Sequence, residues 1–242
     1  MAGHSKWANI KHKKGATDAK RGKVFSKIVK EITVAARMGG GEPEMNPRLR
    51  TALIAAKAAN MPKDNINNAI KKGIGAVAGA SMYEEITYEG YAPDGVAIVI
   101  DSLTDNKNRA LSDIRTIVQK NGGKMAEKGA VSWNFTTKGL IVVDAEGVDE
   151  DEIMEFALEA GAEDVTPHGE VIEITTELGD YLTVAEAFDA SDYKIEVSEI
   201  AKIAGTTTAI SGTSIDKIER LISAVEDNED VQKVYSNAEY EH

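Results

Sequence analysis

The first third of the chain has the hydrophobic and polar pattern of helices. Apolar side chains recur every three or four residues over 18–38, and polar groups occupy the other side of that segment. An Asn-Pro pair at 46–47 predicts the cap and first turn of a second helix, and Pro62 opens a third. These signals predict a helical domain over residues 1–77.

Beyond the third helix the apolar positions alternate, which is the period of β-strands. Alternating residues at 86–88 and 96–100 flank a Pro-Asp-Gly turn at 93–95, so a hairpin is expected. A helix over 106–118 and an alternating strand at 131–135 follow.

The last hundred residues predict two interleaved units. Residues 139–205 give the order β-α-β-β-α-β, which is that of a ferredoxin-like sandwich. A helix at 214–226 and a strand at 231–234 then complete a second sandwich. The predicted fold class is α+β with three domains: a basic helical bundle at 1–77, a discontinuous α/β ferredoxin-like domain at 78–138 and 206–242, and an acidic ferredoxin-like α/β domain inserted at 139–205.

Charge is divided unevenly along the 242 residues, whose net charge is −12. Residues 1–75 hold 16 Lys or Arg against 5 Asp or Glu, a net +11, whereas residues 139–242 hold 5 against 27, a net −22. This asymmetry indicates a surface for a polyanion such as nucleic acid at the N-terminal end. The alternative is a charged helical segment that is simply solvated.

Composition excludes several classes of protein. Hydrophobic residues at 42% and charged residues at 28% are typical of a globular chain, and no apolar run reaches the ~18 residues of a membrane span. The chain has no Cys, which removes thiol nucleophiles, disulfides and Cys-based zinc sites. Since the N-terminus lacks the apolar core of a signal peptide, we expect a cytoplasmic protein.

No motif of an enzyme or a cofactor site is evident. The P-loop, HExxH and GxSxG patterns do not occur, and the four His residues lack metal-ligand spacing. The acidic run at 149–152 lacks calcium-loop spacing and is predicted to occupy the first turn of a helix. We therefore expect no cofactor, no metal site, no small-molecule substrate and no membrane contact.

The segment best suited to nucleic acid lies at the N-terminus, where residues 3–14 read GHSKWANIKHKK. Closely spaced ammonium groups neutralise phosphates and release counterions, and the Trp7 ring suits either stacking on a base or packing onto the helical domain. The lysines of the first helix lie opposite its apolar stripe, so we expect their ammonium groups to face solvent. The predicted nucleic-acid-binding residues are His4, Lys6, Trp7, Lys11, Lys13, Lys14, Lys20, Arg21, Lys23, Lys27 and Lys30.

A second group of cations lies between residues 107 and 128. Its members are Lys107, Arg109, Arg115, Lys120, Lys124 and Lys128. Because neighbouring acidic residues nearly cancel their charge, a solvated helix face is the preferred interpretation.

Four stretches closely resemble signature motifs of the YebC/PmpR family. They are residues 3–14, 60–66 (NMPKDNI), 88–91 (YEGY) and 103–109 (LTDNKNR). The chain departs from the family pattern at Asn67-Asn68, where a basic residue is common, and this lowers the positive charge of the third helix.

The resemblance implies a helical bundle and two α/β domains, the middle one discontinuous. It also implies a non-enzymatic cytoplasmic protein, a probable DNA-binding transcriptional regulator. The mitochondrial translational activators of cytochrome oxidase belong to the same group, and some members look like ribosome-associated translation factors.

Two functions therefore compete for one predicted surface. The first is a DNA-binding transcriptional regulator, and the alternative is a translational activator that binds ribosomal RNA on the ribosome. No recognition helix with base-reading residues is evident, so direct promoter readout has little support from sequence. A third class, an enzyme or protein-interaction module with an acidic partner, would keep its activity without residues 1–77.

Overall fold

The computed structural model describes residues 18–75 and 82–240, with side chains from residue 22 onward except at residue 58. These residues form two compact units. The larger unit holds 18–132 and 210–236, and the smaller holds 133–209 and 237–240. Most of the smaller unit is thus inserted in the sequence of the larger one. The predicted boundaries at 77, 138 and 205 stay predictions.

Helices and strands are numbered here in chain order. The helices are α1 (Asp18–Gly39), α2 (Pro47–Ala58), α3 (Lys63–Gly73), α4 (Lys107–Lys120), α5 (Glu150–Ala160), α6 (Tyr181–Asp189) and α7 (Thr213–Glu226). The strands are β1 (Glu84–Tyr91), β2 (Ala97–Thr104), β3 (Lys124–Ala126), β4 (Phe135–Asp144), β5 (Asp164–His168), β6 (Val171–Thr176), β7 (Ile195–Ala204), β8 (Thr208–Ile210), β9 (Val231–Ser236) and β10 (Ala238–Tyr240).

Helices α1, α2 and α3 form the N-terminal bundle. The Asn46 side chain accepts a hydrogen bond from the Leu49 N–H at 3.0 Å, so the Asn-Pro pair caps α2 as predicted. Apolar side chains from all three helices and the turn before α3 form the core: Ile32, Ala35, Leu49, Ala52, Ala56, Met61 and Ala69.

Helix α3 approaches α1 closely at Gly73. The Thr33 hydroxyl donates to the carbonyl of Val29 at 2.7 Å and reaches that of Ala69 at 3.3 Å. A Cβ at position 73 would lie only 2.4 Å from the Thr33 carbonyl oxygen. Glycine therefore allows this helix crossing, in addition to ending α3.

The middle α/β domain is built on an antiparallel sheet with the strand order β3-β1-β2-β9. Helices α4 and α7 pack against each other. Their inward side chains are completely buried: Ala110, Ile114, Val118, Ile218, Leu221 and Val225. The strands β1 and β2 that were predicted from alternating residues are confirmed by their antiparallel pairing, in which Tyr88 lies opposite Ile100.

The smaller unit has the ferredoxin-like order of elements, β4-α5-β5-β6-α6-β7, and the sheet order β5-β6-β4-β7. Asp149 caps α5 by accepting from the N–H groups of Asp151 and Glu152, which accounts for the acidic run. Phe156 and Phe188 meet edge to face with ring centroids 5.1 Å apart in its core. The predicted α+β fold class is confirmed.

Asn134 joins the two chain segments that begin and end the ferredoxin-like part of the smaller unit, at residues 133–134 and 205–206. Its amide donates to the Thr206 carbonyl at 2.8 Å and accepts from the Thr206 N–H at 2.7 Å. Its own carbonyl accepts from the Gly205 N–H at 2.7 Å. The short strands β8 and β10 pair beside this junction.

One predicted strand is wrong. Residues 131–135 were expected to alternate as a strand, but Ser132–Asn134 is a 3-10 turn and β4 begins only at Phe135. Val131 is buried and Trp133 is 76% exposed, so the apolar alternation here belongs to a loop. The three-residue strand β3 was not predicted.

Candidate nucleic-acid interface

The basic side of α1 faces the end of α7. Lys23, Lys27 and Lys30 recur every three or four residues and share one side of α1. Lys27 Nζ donates to the carbonyl of Glu226 at 2.7 Å, and Lys30 Nζ donates to that of Glu229 at 2.7 Å. Carbonyls at the end of a helix lack intrahelical donors and carry its negative dipole end. The lysines therefore stabilise the end of α7 and the loop that follows.

Asp230 is the buried centre of this contact, with a side chain only 6% exposed. Its carboxylate accepts from Lys30 Nζ at 3.0 Å and from Arg109 Nη2 at 2.9 Å. Burial raises the pKa of Asp230, but the hydrogen bonds from Arg109 and Lys30 outweigh it and hold the pKa below its usual value. The charged carboxylate thus ties α1 and the start of α4 to the loop between α7 and β9.

Lys30 and Lys23 differ in how firmly they are held. Lys30 has a side chain 14% exposed, and its ammonium group lies 5.4 Å from the centre of the Tyr83 ring. Lys23 is 47% exposed and pairs with Asp227 at 3.3 Å, an exposed ion pair of the kind that contributes little. Among the three, Lys23 has the most accessible ammonium group.

The prediction that the α1 lysines face solvent is wrong for Lys27 and Lys30, because oxygens some 199 residues further along the chain take up their ammonium groups. Nucleic-acid binding by Lys23, Lys27 and Lys30 stays a prediction. Lys20 and Arg21 lie in α1, but their side chains are outside the description. Six other predicted residues fall outside the described part of the chain: His4, Lys6, Trp7, Lys11, Lys13 and Lys14.

An open cavity of about 360 Å³ lies between the first turns of α1 and the loop after α7. Its charged lining consists of Lys23 and Lys27 on one side and Asp227 and Glu229 on the other. Since the two signs balance, this cavity has no net charge to attract a phosphate.

The arginines of the helical bundle are also engaged. Arg48 pairs with Glu31 at 2.7 Å and with Glu85. Burial lowers the pKa of Arg48, but the hydrogen bonds and charges of those two carboxylates outweigh burial and hold the pKa above its usual value. Arg37 donates to the Tyr83 carbonyl at 2.5 Å, and Arg50 donates to carbonyls of the 3-10 turn before α2. Arg37 and Arg48 therefore join the bundle to the start of the middle domain, whereas Arg50 stabilises the turn within the bundle.

Helix α3 presents a different set of cations. Lys63, Lys71 and Lys72 are exposed, and Asn67 and Asn68 lie beside them on the same helix. None of these residues was among the predicted binding positions. The sequence could have indicated them, because they lie opposite the apolar residues of α3. The departure of Asn67-Asn68 from the family pattern drew attention away from this side of the helix.

The motif at 88–91 has a structural role. Glu89 is buried, and its carboxylate accepts backbone N–H bonds from Gly129 at 2.6 Å, Val131 at 2.8 Å and Ser132 at 2.9 Å. Burial raises the pKa of Glu89, but these N–H groups outweigh it and lower the pKa below its usual value. The carboxylate fixes the loop that leads out of the middle domain.

The motif at 103–109 and the second group of cations are likewise tied to the fold. Asn106 caps α4 by accepting from the Arg109 N–H at 3.1 Å. Lys107 pairs with Glu84, and Arg109 pairs with Asp105 at 2.8 Å as well as with Asp230. All six members of the group are exposed, and Lys107 and Arg109 are in addition held by these ion pairs.

Two negative findings apply to residues 18–75 and 82–240. No three His, Asp or Glu side chains there are grouped as metal ligands. No helix in these ranges combines the length and the apolar character that a membrane crossing requires.

Comparison with family models covers nearly the whole chain. Residues 5–76 match the TACO1/YebC protein N-terminal domain, and residues 83–238 match the TACO1/YebC second and third domain. The chain belongs to the TACO1/YebC family. The relationship predicted from the four sequence motifs is confirmed.

Bacterial members of this family are similar to this chain over nearly their full length. A probable transcriptional regulatory protein of Desulfatibacillum aliphaticivorans is 55% identical over 99% of this chain and 96% of its own. A protein of the same description from Treponema pallidum subsp. pallidum is 53% identical over 99% and 97%. The crystal structure of a conserved hypothetical protein, Aq1575 from Aquifex aeolicus, superposes with a TM-score of 0.83 at 45% identity, covering 93% of each chain.

Proposed function

We propose that this chain is a nucleic-acid-binding regulator of gene expression, a DNA-binding transcriptional regulatory protein that acts in the cytoplasm without enzymatic activity. The observation that carries the proposal is the charge division, +11 over residues 1–75 against −22 over residues 139–242. The cationic N-terminal segment attracts phosphates, and the acidic C-terminal segment repels them. The description of the curated relatives as probable transcriptional regulatory proteins supports the same function.

In this proposal the affinity comes chiefly from cations of the N-terminal arm and the first turns of α1. The cations are Lys6, Lys11, Lys13, Lys14, Lys20, Arg21 and Lys23, and His4 and Trp7 are the candidates for a more specific contact. Lys27 and Lys30 contribute only if phosphate oxygens replace the carbonyl oxygens that they now contact.

The test measures binding to a labelled 30-base-pair DNA duplex over a range of salt concentrations. The variant reverses the charge of Lys13, Lys14, Lys20 and Lys23 to Glu. A matched control reverses the exposed cations Arg115, Lys120, Lys128 and Lys217. Each lost phosphate contact lowers the slope of log K against log salt by about 0.9, so we expect the first variant to lose about 3 to 4 units of slope and the control almost none. An unchanged slope in the first variant would contradict the proposal.

The alternative is a translation factor that binds ribosomal RNA. It is favoured by the family description, which joins YebC proteins with the TACO1 group, and by the resemblance to mitochondrial translational activators. Sedimentation of cell lysate through a sucrose gradient distinguishes the two functions. Co-sedimentation with ribosomes that the charge-reversed variant loses supports translation, whereas both forms at the top of the gradient support the DNA-binding function.

A further inference from the structure

Among residues 22–75, helix α3 carries the cations that form no ion pair or side-chain hydrogen bond with the described part of the chain. Residues 22–75 contain ten Lys or Arg, and seven of them contact other groups of the chain: Lys23, Lys27, Lys30, Arg37, Arg48, Arg50 and Lys57. The other three are Lys63, Lys71 and Lys72 of α3. Within the described ranges these three form no ion pair and no side-chain hydrogen bond.

The two sides of α3 are chemically distinct. The side toward α1 carries Ile66, Ala69, Ile70 and Gly73, which are buried or partly buried. At 100° per residue, Asp64 and Asn65 of the first turn also lie on the opposite side, and the following turns carry there Asn67, Asn68, Lys71 and Lys72, with each lysine four residues beyond an asparagine. We call these four exposed residues the α3 outer face.

The α3 outer face differs from a helix surface that is merely solvated. A solvated face commonly pairs Glu with Lys at i and i+4, whereas here an amide precedes each ammonium group. The single acid of α3 is Asp64, in the first turn, where the helix dipole accounts for it. The asparagine amides also form no side-chain hydrogen bond to the described residues, so both their donors and their acceptors are available.

We propose that the α3 outer face enters the major groove of duplex DNA, with Lys71 and Lys72 on the phosphates and Asn67 and Asn68 on the base edges. This inference rests on the proposed function and adds a second contact to that of the N-terminal arm. Asparagine pairs with adenine through two hydrogen bonds, and lysine neutralises phosphate without reading sequence.

The shape of the bundle favours DNA over RNA duplexes. Helix α3 is a convex rod of 11 residues, about 16 Å long, and residues 59–62 join it to α2 as a four-residue turn between helices. The major groove of B-form DNA admits an α-helix, whereas that of A-form RNA is too deep and narrow for side chains to read.

The test compares four forms of the full chain on a mixed-sequence 30-base-pair DNA duplex between 50 and 300 mM salt. They are the wild type, Lys71→Gln with Lys72→Gln, the control Lys217→Gln with Arg220→Gln, and Lys13→Glu with Lys14→Glu. Lys217 and Arg220 are exposed cations of α7, so the control removes the same charge from another helix. Circular dichroism melting checks that all four forms fold.

We expect the α3 variant to lower the salt slope by about 2, and its affinity at 0.1 M salt to fall about 60-fold, because each phosphate contact contributes about 0.9 to the slope. The control should keep the wild-type slope. A fifth form, Asn67→Ala with Asn68→Ala, whose folding is checked in the same way, should keep the wild-type slope and lose the preference for particular sequences among duplexes selected from a random library.

Three results would overturn the inference in distinguishable ways. A wild-type slope in the α3 variant, with a reduced slope in the N-terminal variant, removes the α3 contact and leaves the proposed function standing. Equal or tighter wild-type binding to an RNA duplex of the same sequence rules out insertion into a B-form groove. Failure of the wild type to bind either duplex at 50 mM salt overturns the proposed function and the inference together.

Discussion

Replacing Asp230 with Asn should lower the free energy of unfolding by about 3 kcal/mol. The Asp230 carboxylate is almost fully buried and accepts from Lys30 and Arg109. Asn keeps one acceptor oxygen but turns an NH₂ group toward the second cation, and leaving a buried charge unpaired costs about 3–5 kcal/mol. We take the low end of that range because the Arg109 side chain is 49% exposed and water can solvate it.

Asp227→Asn is the matched control for this change. Asp227 lies in the same loop, but its side chain is 52% exposed and its partner Lys23 is 47% exposed. The control should cost about 0.5 kcal/mol or less. Urea unfolding at pH 7, followed by circular dichroism, gives both values when the dependence on urea is unchanged between variants.

A difference below about 0.5 kcal/mol between the two Asn variants would refute the assignment of Asp230 as a buried centre. A double-mutant cycle with Lys30→Met adds a second check, since groups in one charged network couple by about 0.5–3 kcal/mol. Additive effects of Lys30→Met and Asp230→Asn would mean that the pair seen in the structure does not persist in solution.

Three further predictions concern the middle domain, the smaller unit and pH. Glu89→Gln should destabilise the protein by about 2–3 kcal/mol, because an NH₂ group replaces one carboxylate oxygen and faces backbone N–H groups. Amide hydrogen exchange should then accelerate at residues 129–132. Unchanged exchange there would contradict the assignment of Glu89 as the group that fixes this loop. Gly139→Ala should cost about 2–3 kcal/mol by urea unfolding, because its Cβ would lie 2.2 Å from Thr176 Oγ1, whereas Gly179→Ala meets nothing within 4 Å and should be neutral. Because folding lowers the pKa values of Asp230 and Glu89, these carboxylates stabilise the protein above about pH 4, and this stabilisation is lost as the pH falls through their pKa values in the folded state. The difference in urea midpoint between the wild type and Glu89→Gln should therefore be smaller at pH 3 than at pH 7. A larger difference at pH 3 would mean that folding does not lower the pKa of Glu89.

Local signals accounted for much of the fold. The cap of α2 at Asn46 and the cap of α5 at Asp149 depend on neighbours within three residues, so the sequence was sufficient to predict them. The alternation of apolar residues was also sufficient to predict the strands β1 and β2, although β2 is buried at almost every position and not on one face alone. Such features follow from short-range backbone chemistry.

The candidate site was predicted less well because its contacts are distant in sequence. A helical projection places Lys27 and Lys30 opposite the apolar stripe of α1, but it cannot show that the end of α7 lies against that side. Glu89 likewise looks like an exposed strand residue until residues 129–132 fold over it. Val131 and Trp133 imitate a strand because apolar residues of a loop can fall at alternate positions by chance, here one buried and the other exposed.

The hydrogen bonds between Asn134 and residues 205–206 affect the order in which parts of the chain can fold. Strands β2 and β9 pair across a long stretch of sequence, most of which belongs to the smaller unit. If that unit forms first, Asn134 brings residues 133–134 and 205–206 side by side, and the loop between β2 and β9 becomes shorter by more than half. The entropy lost in closing the loop then falls by on the order of 1 kcal/mol. Early folding of the inserted domain would in this way favour the pairing of β2 with β9 in the domain that contains it.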